Sequence, residues 1–421
     1  MVSVTVEFLS TGAGMSQNFD YNGCIITKNL MQLRPHQIKA LDVMTKKSKG
    51  QIIVPTGGGK TMCMIHDTLR EYDKGWSTIV IVAPRILLAN QLSTEFLEVI
   101  HDHYKHTNVL HVHSGETHHF STTKPSEIAK WDRVRGRKII FTTYHSLHRI
   151  QESGIYVDTI YFDEAHNAVQ RNFIDSVRHF SKYALRSYFF TATPKHSLSP
   201  TRVGMNHSNV FGNVICQVPA PKLVQEGYIL PPKVEIYKSR ILHKDELVAE
   251  RDCEQMIDAI DNLTKDKVLI CAKSTKQIVN LIGNTNFVDE LGLRDYSYMF
   301  ITAKTGAVID GKKVTREQFF DTLSEWGKDD NKRFVVLHHS ILSEGINVKG
   351  LEAVLFMRSM DYIGISQTIG RVIRKGNTDK VYGLVCVPVY SNVGISTARK
   401  VEAVVDTIFN KGEAATSIVT R

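Results

Sequence analysis

The chain has 421 residues, 42% hydrophobic and 23% charged, which describes a globular protein with a sizeable core rather than a disordered tract. That length suits two domains of about 100–200 residues each, and the formal net charge of +9 fits a polyanionic partner. No apolar run reaches the roughly 18–20 residues of a membrane span, and Met1 to Ser10 alternates rather than forming a secretory core, so no membrane partner is expected.

In chain order, Val2 to Leu9 alternates as a strand does and Gly23 to Thr27 suggests another, within a short extension over residues 1–30. Residues 31–215 form a first domain with strands expected at Gln51–Val54, Ser77–Val82, Val109–His113, Lys138–Thr142, Thr159–Phe162 and Ser187–Thr191. The stretch 216–232, with Pro219, Pro221, Gly227 and Pro231, breaks the rhythm and reads as a linker. Residues 233–421 form a second domain, with strands at Val234–Tyr237, Lys267–Ala272, Ser297–Ile301, Arg333–His338, Ala353–Met357 and Val381–Val387. Val401 to Asn410 closes it as an amphipathic helix, with Gly412 just past its end. Strands alternating with helices predict an α/β protein with mostly parallel sheets. The six cysteines show no CxxC spacing and sit mostly in apolar contexts. They read as reduced core residues of a cytoplasmic compartment, with the nucleus left open.

The most informative run is Ile53-Val54-Pro55-Thr56-Gly57-Gly58-Gly59-Lys60-Thr61. Three glycines after an apolar stretch let the backbone curl until several N–H groups converge, at the start of a following helix, on a polyphosphate. Lys60 would reach the β- and γ-phosphates and the Thr61 hydroxyl would ligate Mg²⁺. Val54 stands where the general pattern has glycine. A second run, Tyr161-Phe162-Asp163-Glu164-Ala165-His166, places carboxylates at the C-terminal end of a buried strand, where open α/β sheets bind ligands. Asp163 would hold Mg²⁺ through water and Glu164 would orient and deprotonate an attacking water.

With these two runs the chain resembles a superfamily-two helicase or translocase with a DEAH-type motif II, of phage branch-migration or restriction style. Leu33-Arg34-Pro35-His36-Gln37 resembles the adenine-reading segment, Ala83-Pro84-Arg85 motif Ia, and Thr142-Thr143-Tyr144-His145 a later strand-end motif. Thr191-Ala192-Thr193-Pro194 resembles motif III, and Val268-Leu269-Ile270-Cys271-Ala272 motif IV. Ser343-Glu344-Gly345-Ile346-Asn347-Val348 resembles motif V, and Gln367-Thr368-Ile369-Gly370-Arg371-Val372-Ile373-Arg374 motif VI. All fall in the family's order. The resemblance implies two tandem RecA-like domains around an ATP cleft. Nucleotide contacts would come from Arg34, Gln37, Pro55, Thr56, Gly57, Gly58, Gly59, Lys60, Thr61, Gly345 and Asn347. Asn347 replaces the aspartate that many members carry near the ribose. His166 joins the catalytic group by the same resemblance.

Gln367, Arg371 and Arg374 share one helical face, at spacings of four and three residues. By resemblance that face looks across the cleft at the γ-phosphate. The family's nucleic-acid track would use Arg85, Thr143, Lys273, Ser274, Thr302, Thr305 and Ser343, through contacts to phosphate and sugar that carry no sequence readout. DNA is the preferred track, because motifs III and VI and the Leu-Arg-Pro-His-Gln run look closer to DNA translocases. An RNA helicase, or a nucleotide-gated clamp that does not unwind, is the alternative. A monomer using ATP and Mg²⁺ is expected. Seven of the 18 histidines lie between His101 and His119, but their spacing fits no zinc pattern, so exposed or edge histidines are expected there. Trp131 and Trp326 are expected to pack rather than to stack on bases.

Overall fold

Apolar strand runs buried on both faces organise the molecule, as parallel sheets covered by helices require. The computed structural model describes residues 32–419, except 105, 116, 239–245, 264, 303–304, 340–349, 358–361, 375–379 and 390–394. The expected strands at Val2–Leu9 and Gly23–Thr27 lie outside the described residues. Residues Met1–Arg34 form one unit and Pro35–Arg421 another, and the second unit consists of two lobes.

The first lobe holds β1 (Lys49–Ile53), β2 (Thr78–Ala83), β3 (Thr107–Val112), β4 (Arg137–Thr143), β5 (Thr159–Phe162), β6 (Arg186–Thr191), a two-residue β7 (Lys195–His196) and β8 (Val214–Gln217). Seven of these form one sheet in the order β3-β4-β2-β5-β6-β1-β8, parallel throughout. All six residues of β2, Thr-Ile-Val-Ile-Val-Ala, are buried. The second lobe holds β9 (Pro232–Lys238), β10 (Lys267–Cys271), β11 (Ser297–Thr302), β12 (Gly306–Ile309), β13 (Lys312–Val314), β14 (Phe334–His338), β15 (Ala353–Phe356) and β16 (Gly383–Val389). They run in the order β13-β12-β11-β14-β10-β15-β16-β9, parallel except for the β12 and β13 edge.

Each sheet has apolar packing on both faces. One cluster runs from Ile52, Val54 and Ile81 of the first lobe through Leu223 and Ile229 to Leu269, Ile365 and Ile369 of the second, so the seam between lobes is itself hydrophobic. The opposite faces are closed by Val80, Phe162 and Phe189 in one lobe and by Ile270, Leu337 and Leu355 in the other. The five described cysteines are buried free thiols.

Three differences from the sequence reading bear on the site. The first sheet extends through β8 into residues assigned to the linker, and that stretch also forms the short helix Ala220–Gln225. The closing helix starts earlier, at Ile395, and ends in a π-helical turn over Asp406–Asn410. Beyond Gly412, whose φ is +72°, the chain returns to the first lobe. There Ser417–Ile418 form β17, parallel to β7 just after motif III, and Val419 N–H donates to the His196 carbonyl at 2.7 Å.

In the histidine-rich stretch, His101, His103, His106, His118 and His119 are exposed, as expected. His111 lies at the C-terminal end of the edge strand β3 and His113 just past it, and both are buried. Residues 120–122 cover the edge, with His111 N–H donating to the Phe120 carbonyl at 2.9 Å. Ring nitrogens of His111 contact Ser93 Oγ and His113 at 3.0 Å each. Burial, with His113 and His119 nearby, pulls His111 down to about 3. No group of side chains arranged to hold a metal occurs among the described residues. Trp131 and Trp326 pack against core clusters.

Candidate functional site in the cleft between lobes

The P-loop follows β1 directly. Val54 N–H continues the sheet by donating to the Thr191 carbonyl at 3.0 Å, and the Gly58 N–H donates to the Pro55 carbonyl at 2.9 Å, closing the loop. Gly57 (φ +84°) and Gly59 (φ +81°) take left-handed backbone that side chains disfavour. Val54, the departure from the usual pattern, has a packing reason: its Cγ1 lies 2.4 Å from where a Cβ on Gly58 would stand. The helix Lys60–Asp73 then begins with no acidic residue in its first turn. A positive helix end under a glycine loop is a ready anion site.

His36 and Gln37, at the start of the helix Pro35–Lys46, brace this loop from below. His36 Nε2 contacts the Gly58 carbonyl oxygen at 2.7 Å and Gln37 Nε2 donates to the Gly59 carbonyl at 3.0 Å. His36 has no assigned role in the sequence reading, though its place beside Gln37 is the signal for it. Arg34 immediately precedes this helix.

Motif II turns off the end of β5. Asp163 N–H donates to the Val82 carbonyl, and the Tyr144 hydroxyl donates to the Asp163 carbonyl at 2.9 Å. Glu164 adopts φ +43° and ψ +54°, a left-handed conformation costing a non-glycine residue about 1–2 kcal/mol. This strain coincides with Glu164 Oε1 sitting 3.4 Å from Lys60 Nζ. Both carboxylates are buried, yet they diverge. Burial, then the adjacent Glu164 charge, raises Asp163 to about 7, with Lys60 opposing. Burial also pushes Glu164 up, but Lys60, His166 and Arg371 outweigh it and hold Glu164 below its usual range. Paired groups driven apart in this way can divide metal binding and base chemistry.

His166 ties three motifs together. Its Nδ1 lies 3.1 Å from Thr191 Oγ1, 3.4 Å from Thr193 Oγ1 and 3.6 Å from Glu164 Oε2. Its Nε2 faces two amide groups, Asn167 Nδ2 at 3.2 Å and Gln367 Nε2 at 3.4 Å. Two donors facing Nε2 assign the proton to Nδ1. Gln367 belongs to the second lobe, so this contact crosses the cleft.

The helix Tyr362–Val372 delivers motif VI to the same place. Gly370 packs against Thr56: a Cβ there would meet Thr56 Cβ at 2.4 Å. Ile229 pairs with Arg374 in an isolated antiparallel bridge, and Arg374 Cγ lies 3.6 Å from the Cβ position of Gly57. Arg371 is buried, and burial together with the Arg374 charge pulls it down to about 9, while Cys271 and Glu164 oppose the shift. Two guanidinium groups enclosed beside a P-loop cost desolvation and repulsion that a polyphosphate would offset.

Lys60, Asp163, Glu164, His166, Gln367, Arg371 and the P-loop therefore share one cleft. The oxygen donors Thr61 and Asp163 suit Mg²⁺, a hard cation, and the glycine loop leaves room for phosphates, so these residues fit ATP·Mg²⁺. Gly345, Asn347 and Ser343 lie outside the described residues. The nucleic-acid candidates stand at strand ends. Arg85 is the exposed N-cap of the helix Ile86–His103, Lys273 is exposed, and the Ser274 hydroxyl accepts from Gln277 N–H at 3.2 Å as an N-cap. Thr143 and Thr302 are buried, their hydroxyls 3.4 Å from Ser146 Oγ and 2.5 Å from Thr305 Oγ1.

The raised Asp163 value makes a stability prediction. A carboxylate that holds its proton more tightly when folded (about 7 against an ordinary 3.8) favours the fold below pH 4, and that contribution is lost as pH rises through 7. In the absence of nucleotide and metal, Asp163→Asn should therefore melt above the unsubstituted protein at pH 8, with the gap closing toward pH 4. Equal melting temperatures across that range would show that Asp163 is not held protonated.

Residues 30–196 match the family described as the Type III restriction enzyme, res subunit. No curated protein matches the chain in sequence. Among solved structures, the ATP-dependent Type ISP restriction-modification enzyme LlaBIII bound to DNA aligns with a TM-score of 0.70 over 95% of this chain, at 16% identity. A nuclease-deletion mutant of the Type ISP enzyme LlaGI with a DNA substrate mimic gives 0.63 over 92%, at 18%. A fragment of a putative HsdR subunit of a type I restriction enzyme from Vibrio vulnificus YJ016 gives 0.60 over 91% of this chain and 67% of its own, at 14%. The chain spans about a third of the two Type ISP chains, 32% and 30%. The fold is that of tandem RecA-like helicase lobes, and the resemblance to restriction-type superfamily-two helicases, read from motif order, is borne out.

Proposed function

We propose that this chain is an ATP-driven DNA translocase that hydrolyses ATP in the cleft between its lobes. The observation that carries this reading is the meeting of motif II and motif VI across the seam, with Gln367 3.4 Å from His166 and the Arg371 and Glu164 charges close enough to favour each other. The P-loop N–H groups and Lys60 would bind the phosphates, and Thr61 and Asp163 would hold Mg²⁺, which supplies positive charge against the phosphate oxygens when bound. Glu164 orients the attacking water and takes its proton, with Lys60 released from it to the phosphates. Arg371 stabilises charge on the γ-phosphoryl group, and Arg374 supports it. His166 positions Glu164 and reports its state to motif III and to Gln367. Because the arginines come from the second lobe, hydrolysis requires closure and release permits reopening, a cycle that moves one lobe along the polyanion relative to the other.

ATPase rate measured with duplex DNA, single-stranded DNA and RNA tests this reading. Stimulation by DNA is expected. Stimulation by RNA alone would overturn the DNA assignment, and ATP-dependent binding without displacement of a strand or a protein block would make the chain a clamp. Lys60→Ala should lower turnover by at least ~10³-fold, the scale of losing a transition-state cation. Turnover within tenfold of the unsubstituted protein would remove Lys60 from the reaction.

A further inference from the structure

Away from the cleft, the first lobe has a hollow of about 360 Å³ whose polar wall carries three arginines, Arg171, Arg178 and Arg202, with Thr201 beside them. Its apolar part is Val169, Ile174 and Val203, and no Asp or Glu is among the described residues that form it. The arginines come from three separate segments: the loop after motif II, the helix Ile174–Tyr183 and the loop after motif III. Arg178 also pairs at 3.5 Å with the exposed Asp175, a contact open to solvent and therefore weak.

The loop carrying Arg202 is fixed at its neck. Asn206 accepts from Ser197 N–H at 2.8 Å and donates to the Ser197 carbonyl at 2.9 Å, while Met205 N–H donates to the Lys195 carbonyl at 2.7 Å. Gly204 sits so close that a Cβ would meet Ser197 N at 2.1 Å. The helix beneath is rooted by Val177 and Phe180 in the core. The charges thus stand on held backbone, as a recognition site requires.

Position supplies the partner. Phe173, which opens the helix, stacks on Tyr144 at 5.7 Å and meets His145 edge-on at 4.6 Å. Phe173 directly precedes Ile174 of the hollow, so the hollow lies near the segment that follows Thr143 at the end of β4. On the other side Gln170 Nε2 donates to Asn167 Oδ1 at 3.1 Å, and Asn167 contacts His166. A recess carrying three arginines near that strand end matches the spaced anions of a nucleic-acid backbone.

We propose that this hollow binds DNA backbone phosphates as an additional contact of the first lobe and lies on a short side-chain path to the hydrolytic site; this rests on the DNA reading above. The test is binding of the full chain to a labelled duplex and to a single strand across a NaCl series, for the unsubstituted protein and an Arg171→Ala, Arg178→Ala, Arg202→Ala triple variant. The side chains lie at the surface, so the fold should persist, checked by thermal melting. The slope of log affinity against log salt should fall by about 2–3, with binding at low salt weakened at least ~10-fold. DNA-stimulated ATPase should fall while basal turnover stays. The triple lysine variant should retain the slope. A preference of the loss for duplex or for single strand identifies which form occupies the hollow. Unchanged slope and affinity in the alanine variant overturn the hollow and leave the DNA reading standing; no binding by the unsubstituted protein overturns both.

Discussion

Arg371→Ala is expected to bind ATP within a few-fold of the unsubstituted protein and to hydrolyse it about 10³–10⁵ times more slowly, the range for arginines supplied to a transferring phosphoryl group. The separation of binding from turnover follows from geometry. The proposed phosphate grip, the glycine loop and Lys60, belongs to the first lobe, whereas Arg371 arrives on the Tyr362–Val372 helix of the second. Removing it leaves the grip intact and takes away charge that counts only when the lobes meet. It also removes a charge that burial, and then the Arg374 guanidinium, disfavour, so the ligand-free protein should not be destabilised. Steady-state DNA-stimulated turnover and fluorescent-nucleotide titration separate the two quantities. Turnover equal to that of the unsubstituted protein would refute the assignment.

Gly370→Ala should lower turnover by roughly 5–150-fold, although alanine is the better helix former by about 1 kcal/mol in an exposed helix. The added methyl would stand 2.4 Å from Thr56 Cβ and 2.6 Å from its Cγ2. Thr56 is short and sits in the P-loop between Pro55 and Gly57, so no flexible side-chain end can swing clear. Either the loop or the helix must retreat. Overpacking of this kind costs about 1–3 kcal/mol, and here the cost falls on the closed arrangement alone, which converts to the stated range at tenfold per 1.4 kcal/mol. Hydrolysis at the unsubstituted rate would mean that the seam closes less tightly during turnover than it does in this structure.

Much of this architecture was legible because parallel strands leave near-continuous apolar runs, and because the motifs fall where such strands end. Thr159–Phe162 is the clearest case, its bounds coinciding with β5. Elements held by tertiary context were not legible. In β8, Val-Ile-Cys-Gln, only Cys216 is buried and the strand survives by pairing with β1. The return strand β17 has two residues and no pattern to read. The burial of His111 depends on residues 120–122 crossing the sheet edge. One feature did carry a signal that the sequence reading passes over: Asp310-Gly311, at φ +43° and +78°, joins β12 to β13 as an Asp-Gly hairpin. At the site, the spacing of Gln367 and Arg371 matches one helical face, whereas Arg374, expected on the same face, falls beyond the helix end at Val372 and is bridged to Ile229. The left-handed turn at Glu164 and the bracing role of His36 emerge only when strand ends and helix starts are brought together.

The polypeptide passes between the lobes twice, outward through residues 218–231 and homeward through 412–419, where β17 docks on β7. A pair of plates joined at two separated points behaves like a door on two pins: swinging about the line through the pins is easy, while sliding and corkscrew displacements are resisted. The nucleotide-driven movement proposed above would thereby be channelled into a single angular coordinate, and the homeward pin sits immediately beyond the threonines that touch His166.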